Sequence, residues 1–349
     1  MKIIYSFNKT GIEARHWEKA IRQAGNAEFE FLPFNHGQYL DPAQYLDAWS
    51  LDRLYQRREP GLMGLYEALQ RVIRESRTEA MIVFHCPPYH PEFLRKLPIY
   101  KALYSGDDPD STYKRNIPYL HAYDHVFFVD PAYSPDLDMR EKMQYCGMKN
   151  ADWIPYGVLD YSFDPSRSEE QVLNSPRDID ILYVGSFFRQ KLDVLGRVSR
   201  ALGRRFQLHG FFRFKHNLYF NMRCGVMRWV RPVSFEQRVR LLQRTRIGFN
   251  IHWSEYGLGN ERLYYLPANG VMQICDCADH LHLVYDVGKE VMAYRGSDDL
   301  IDKLRYYLDH EPQRQQIAQA GYRRVMRDYR FATVTRLAAQ AIRRGMSEC

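Results

Sequence analysis

The sequence predicts an α/β protein built from two doubly wound parallel-sheet domains that face a cleft. Three observations predict it. Short apolar runs of strand length alternate with segments of helical spacing along most of the 349 residues, the pattern left by parallel strands joined through helical crossovers. The alternation breaks once, at 158–177 (LDYSFDPSRSEEQVLNSPRD), where Asp, Ser, Pro and Glu accumulate, and then restarts. The chain is also longer than one hydrophobic core usually fills, so two Rossmann-like domains are expected.

In the first half, KIIYSF (2–7) is an apolar strand, a polar loop comes next, and 13–24 has helical spacing. EFEFLPF (28–34) reads as a strand and 40–78 as polar-rich helix. AMIVFHC (80–86) is a buried strand halted by two prolines. Further strands are expected at 98–109, running into an acidic loop, at 124–130 and at 151–157. After the break, 180–187 is a strand ending in Gly185-Ser186, 191–202 a helix and 205–210 a strand. Then come helix 235–244, strand 246–252, helix 260–268, strand 271–276 and strand 290–294. Helices fill 297–310, 311–328 and 331–345. In doubly wound folds the ligands lie at the carboxyl ends of the strands, which in a two-domain version means the cleft.

Bulk composition excludes several classes. Hydrophobic residues at 45% and charged residues at 26% describe an ordinary globular chain. No apolar run reaches the ~18 residues of a spanning helix, and MKIIYSFNKTG at the start reads as a first strand rather than a secretory signal. The six cysteines (Cys86, Cys146, Cys224, Cys275, Cys277, Cys349) form no C-x-x-C pair, so neither a disulfide framework nor a zinc site is expected, and a reducing cytoplasm fits. No G-x-S-x-G, H-E-x-x-H, Walker loop or G-x-G-x-x-G is present. The net charge of +7 points to an anionic partner.

Four stretches carry candidate chemistry. VGSFFRQK (184–191) ends a strand in Gly185 and Ser186 and places Arg189 and Lys191 where the next helix begins. A diphosphate needs backbone N–H donors, a helix start and point charges; the same residues equally make a solvated helix start. GNERLYYLPANGVMQICD (259–276) opens a helix with Asn260 as its expected N-cap, and Arg262 one turn in could turn back toward phosphate or simply meet Glu261 or solvent. YSGDDPD (104–110) comes after a strand; Asp107 and Asp108 could hold an acceptor hydroxyl or act as general base, or start a turn. His85, at the end of strand 80–86, can reach the same place or be a satisfied buried histidine. Finally, 204–246 holds eleven Lys and Arg against Glu236 alone, a local excess larger than that of the whole chain, with Phe211, Phe212, Phe214, Tyr219, Phe220 and Trp229 interleaved. Cations among aromatics suit nucleic acid or an anionic lipid surface, or a basic solvated face over a core.

The second half resembles the C-terminal domain of glycosyltransferases of the spore-maturation CgeB type, group 1-like enzymes with the GT-B fold. The resemblance rests on 259–276 and on VGKEVMAYRGSDDLIDKLRYYLDHEPQRQQIAQAGYRRVMRDYRF (287–331). Asn260, Arg262 and Tyr264 match the family's Asn-x-Arg-x-aromatic run. Gly270, Asp276, Gly288, Lys289, Glu290, Tyr294, Asp299, Leu300, Ile317, Ala318, Ala320 and Gly321 match the family's residues downstream of that run. The resemblance covers roughly 178–335 and is weak over the first half. One departure matters: where the family has Glu after the aromatic, this chain has Tyr265. In related enzymes that carboxylate is implied to hold the donor's ribose hydroxyls. An unusual donor, a ribose held otherwise, or loss of activity all stay open, and Glu261 lies on another helix face.

The resemblance implies an acceptor-binding domain over 1–165 and a nucleotide-sugar domain over 166–330, with 331–349 packing back on the first. Sugar would move from a nucleotide-diphosphate sugar, a UDP-sugar first, to an acceptor hydroxyl without metal or further cofactor. Gly185, Ser186, Arg189, Lys191, His252, Asn260 and Arg262 would bind the donor; His85, Asp107 and Asp108 are the candidates for catalysis. The acceptor is open, an anionic nucleic acid, lipid-linked carrier or polysaccharide among the choices, and the expected place is the cytoplasm or the periphery of a membrane. Two alternatives stand beside this reading: a DNA-modifying glycosyltransferase that grips nucleic acid through 204–246, and a catalytically inactive sugar-nucleotide-binding protein.

Overall fold

The computed structural model describes all residues except 86, 107–111, 135, 253–256, 277, 278, 348 and 349, and the side chains of 112, 113 and 133. The chain divides into two compact units: Met1–Gly157 together with Phe331–Cys349, and Val158–Arg330. The segment 158–177, read from composition as a break, thus opens the second unit, and it carries a short helix of its own.

The first unit runs β1 (Lys2–Phe7), α1 (Gly11–Gln23), β2 (Glu30–Asn35), α2 (Ala48–Gln56), α3 (Pro60–Ser76), β3 (Ala80–Phe84), α4 (Pro91–Leu94), β4 (Tyr100–Ser105), β5 (His125–Phe128), a small hairpin of β6 (Ala132–Ser134) and β7 (Leu137–Asp138), α5 (Met139–Tyr145) and β8 (Ala151–Trp153). Its sheet has the order β2-β1-β3-β4-β5-β8, and every pair in it is parallel. The expected helix at 40–78 is two helices. Asp47 caps α2 by accepting the Ser50 N–H at 2.7 Å, Arg58 turns left-handed at φ 53°, and Pro60 starts α3 where a missing N–H does no harm. The apolar stripe of α3 (Leu62, Leu65, Leu69, Ile73) packs into a core with Met81, Leu103 and Val126 of the sheet.

The second unit runs α6 (Glu169–Leu173), β9 (Ile179–Val184), α7 (Leu192–Leu202), β10 (Phe206–His209), α8 (Phe214–Cys224), α9 (Phe235–Gln243), β11 (Thr245–Asn250), α10 (Arg262–Ala268), β12 (Met272–Cys275), β13 (Met292–Ala293), α11 (Gly296–Asp309) and α12 (Glu311–Asp328). Its sheet has the order β10-β9-β11-β12-β13, again parallel throughout. Side chains at matching positions of β11 and β12 share a face, so Phe249 and Ile274 join one core with Leu195 and Leu304, while Asn250 and Cys275 lie on the other side. The expected strand at 290–294 shrinks to two residues. Helix α8 lies in a stretch legible beforehand only as basic and aromatic.

The last helix, α13 (Phe331–Ser347), belongs to the first unit and packs on α1, β4 and β5. Its Phe331 ring meets Trp17 edge-on at 5.5 Å.

Candidate functional site

The carboxyl ends of β9, β11 and β12 lie side by side in the second unit, and a polar network is built on them. Asn250 closes β11 and is fully buried. Its Oδ1 accepts from the Arg262 guanidinium at 2.9 Å and from the Asn260 amide at 3.1 Å. Its Nδ2 faces Nε2 of His252 at 3.2 Å. An amide N–H can only donate, so Nε2 is the accepting nitrogen and Nδ1 carries the proton. That Nδ1 meets Asp276 Oδ1 at 2.6 Å, and the His252 backbone N–H donates to Asp276 Oδ2 at the same 2.6 Å. Asp276, just past β12, therefore fixes both the ring and the backbone of His252.

Arg262 opens α10. The cap falls one residue later than the sequence suggests, at Glu261, with no side-chain cap there; Asn260 still serves the helix start by accepting the Arg262 N–H at 2.9 Å. The Arg262 side chain is buried. It lies over the Tyr183 ring at 4.3 Å and donates twice to the Val184 carbonyl, at 3.1 and 2.8 Å. Three of its five donors are thereby committed to protein, so it positions the end of β9 rather than standing free for phosphate as the sequence suggested.

Gly185 also acts differently from expectation. Its N–H donates to the His209 carbonyl at 3.0 Å and is not aimed at a ligand. A Cβ there would stand 2.7 Å from the Arg262 guanidinium and 2.8 Å from the Tyr183 ring. The glycine makes room for Arg262 rather than for a phosphate.

The cations of the 184–191 stretch fit an anion better. A 3-10 turn over Arg189–Lys191 leads into α7. Lys191 is buried, and its ammonium lies 5.1 Å from the Phe188 ring centre. Burial first, then the charge of Arg262, lower its pKa to about 8, with Asp276 opposing. A buried ammonium beside a guanidinium is a preformed place for a negative ligand. Arg189 is exposed and stacks on Tyr219 at 5.5 Å, and Ser186 is exposed beside it. The structure thus brings 184–191, Asn260, Arg262, His252 and Asp276 to one edge of one sheet. Asn250 and the role of Asp276 escaped sequence reading. Their signal was the pairing register of β11 and β12, which a lone sequence does not print.

In the first unit, His85 comes directly after β3 with a left-handed backbone, φ 48°, a conformation non-glycine residues adopt at a cost. Its N–H is held by the Tyr104 carbonyl at 3.0 Å. It lines a cavity of about 340 Å³ together with Asn8, Lys9, Gly106, Arg115 and Tyr156, at the carboxyl ends of β1, β3 and β4. Behind it, His36 is fully buried with Nδ1 at 2.9 Å from Ser6. Burial first, then the charge of His85, push the His36 pKa down to about 3. Asp107 and Asp108, the other candidates for catalysis, lie outside the described residues.

Tyr265, the departure from the family's glutamate, is buried. Its hydroxyl reaches the Val184 carbonyl at 3.4 Å, and Arg238 covers its ring at 4.6 Å. It therefore lies beneath the same strand end that Arg262 holds. The basic stretch 204–246 is less unbalanced in space than in sequence: Arg205 and Arg246 pair with Asp180, Arg244 with Asp178 and Arg223 with Asp193. Those three aspartates precede the stretch.

His252, Cys275 and Asp276 are close enough together to be considered for a metal ion. The 2.6 Å between His252 Nδ1 and Asp276 Oδ1 is a hydrogen-bond distance, closer than two ligands sit on one ion. Burial, reinforced by Asp276, holds the Cys275 thiol well above its ordinary pKa, against the thiolate a metal needs. The group fits a hydrogen-bonded cluster better than a metal centre.

Among solved structures, the fold resembles sucrose-phosphate synthase from Thermosynechococcus elongatus (TM-score 0.64, 12% identity, 100% of both chains). It also resembles HepE of Anabaena in complex with UDP-glucose (TM-score 0.61, 10% identity, 99% of this chain and 100% of the other). A third is a candidate UDP-N-acetylglucosamine 2-epimerase from Listeria monocytogenes (TM-score 0.57, 13% identity, 99% and 97%). At these identities the likeness shows the fold, GT-B, which here serves proteins of differing chemistry. No curated protein matches the sequence. Residues 189–340 match the model of the family described as glycosyl transferase-like, and this separates the chemistries. The chain is a glycosyltransferase. The match begins at Arg189, so the glycosyltransferase segment takes in Lys191, the Asn250–His252–Asp276 network and Arg262. No helix among the described residues of this glycosyltransferase is long and apolar enough to cross a membrane.

Proposed function

We propose that this glycosyltransferase, of the CgeB type, moves a sugar from a nucleotide-diphosphate sugar to an acceptor hydroxyl without a metal ion. The observation that carries the reading is the buried Lys191 ammonium beside Arg262 and Asp276 at the edge of the second unit's sheet. The acceptor oxygen bonds to the anomeric carbon as the bond from that carbon to the diphosphate breaks. The leaving diphosphate takes the electron pair, and Lys191 with Arg189 offsets its charge, the task a metal performs elsewhere. His252, locked by Asp276 and Asn250, presents a fixed neutral ring beside the donor. In the first unit, the cavity lined by His85 holds the acceptor, and His85 takes the proton of its hydroxyl. UDP comes first among the donor nucleotides because HepE, a protein of the same fold, is seen in complex with UDP and with UDP-glucose. Free thiols at Cys146, Cys224 and Cys275 suit a reducing cytoplasm.

The test is a thermal-shift series with UDP, GDP, TDP, ADP and CDP and their sugars. A ligand at about a hundredfold over its Kd adds roughly 2.7 kcal/mol, which raises Tm by several degrees in domains of this size. One nucleotide standing out identifies the donor class. A flat response to all five removes the donor site.

A further inference from the structure

We infer that the surface built on α8 docks on an anionic lipid bilayer. An ordinary surface helix has one apolar face, turned inward. Helix α8 turns Phe220 and Cys224 inward as that face, with the Asn217 amide buried beside them. It carries a second apolar line at i, i+4 and i+8: Phe214, Leu218 and Met222, exposed by 67%, 45% and 85%. Beside it on the helix runs a line of Lys215, Tyr219 and Arg223.

The segment after α8 extends this surface and is held in place. Asn217, buried inside, accepts the Val230 N–H at 2.8 Å and donates to the Val230 carbonyl at 3.2 Å. Asn221 accepts the Arg228 N–H at 3.0 Å. Met227 is thereby left fully exposed and Trp229 half exposed, and the Trp229 ring meets Phe214 at 5.6 Å. Contiguous exposed apolar groups of this size mark an interaction site.

The chemistry of the patch chooses the partner. Arg213, Lys215, Arg223 and Arg231 are exposed around it, and Arg223 pairs with Asp193. Basic side chains round an apolar line match the headgroup and acyl layers of an anionic membrane. Nucleic acid would use the cations and the flat rings, but it offers nothing for Leu218, Met222 and Met227, which have no stacking face.

The experiment is co-sedimentation of the full chain with phosphatidylcholine vesicles, with and without phosphatidylglycerol. Two double variants accompany it, Leu218→Ser/Met222→Ser and Arg213→Glu/Lys215→Glu, both at exposed positions. The wild type should pellet with the anionic vesicles alone. Each double variant should lose at least about tenfold in partitioning with unchanged Tm. Trp229 fluorescence quenched by brominated lipid, and the loss of that signal in Trp229→Phe, would place the patch in the bilayer. A wild type that stays in solution with anionic vesicles overturns the inference. So does a Leu218→Ser/Met222→Ser variant that partitions like wild type, or one that binds duplex DNA as tightly as wild type while neither form binds vesicles.

Discussion

Arg262 reaches across from the start of α10 and grips the carbonyl of Val184 with two N–H donors, at 3.1 and 2.8 Å. The same guanidinium holds Asn250, so one side chain ties the ends of two strands. A lysine cannot reproduce that fork. Arg262→Lys should lower stability by about 2 kcal/mol, because one buried acceptor loses its donor, and should weaken nucleotide binding by at least about tenfold as the strand ends drift. Denaturant unfolding and calorimetric titration check the two effects. Unchanged binding in a destabilised variant would reduce Arg262 to a structural residue.

Lys191 gives the site a dependence on pH. Burial, with help from Arg262, lowers its pKa from 10.5 to about 8. The folded protein therefore releases this proton before the unfolded chain does. Stability rises with pH between about 8 and 10.5 and carries the full penalty of the buried charge below 8. Nucleotide affinity runs the other way, falling as pH climbs through about 8 and the ammonium is lost. Lys191→Met should raise the Tm of the ligand-free protein at neutral pH, weaken nucleotide binding and flatten its pH profile. Titrations across the alkaline range read all three.

Tyr265 is where an inactive protein and an enzyme part ways. Its hydroxyl bond to Val184 is long, 3.4 Å, and that carbonyl keeps its two Arg262 donors. Tyr265→Phe should change stability by less than about 1 kcal/mol and leave nucleotide release within about threefold of wild type. A wild type that binds nucleotide yet never releases it from the sugar donor would favour the inactive reading.

His85 tests the acceptor side separately. Asparagine tolerates the left-handed backbone that His85 adopts, so His85→Asn should fold. Transfer to acceptor should fall by at least about tenfold, with nucleotide Kd unchanged. Equal loss of both would place His85 in the donor site instead.

Much of this was legible in the sequence for a simple reason. Buried parallel strands such as 80–84, and 181–184 of β9, are apolar on both faces and stand out as runs. The candidate stretches 184–191 and 259–276 each end or begin at such a run, which fixed their place at a sheet edge. What each residue does there was not legible. Gly185 looks like a phosphate glycine until Arg262 is seen filling its space. The charge excess of 204–246 looks like a nucleic-acid stripe until Asp178, Asp180 and Asp193 are seen beside it. Helix α8 stayed hidden because its two apolar lines blur the single-face period that marks an ordinary helix.

The path of the chain also bears on how the protein is made. Gly157 and Phe331 lie so close that a Cβ on the glycine would stand 2.8 Å from the Phe331 Cα, and between them the chain builds the whole of Val158–Arg330. On the ribosome the second unit can therefore close while the first still waits for α13, against the usual order of N-terminal domain first. Until that helix emerges, Trp17 lacks the Phe331 ring that meets it in the folded unit. A released chain truncated after Arg330 should carry a native second unit beside an unfinished first.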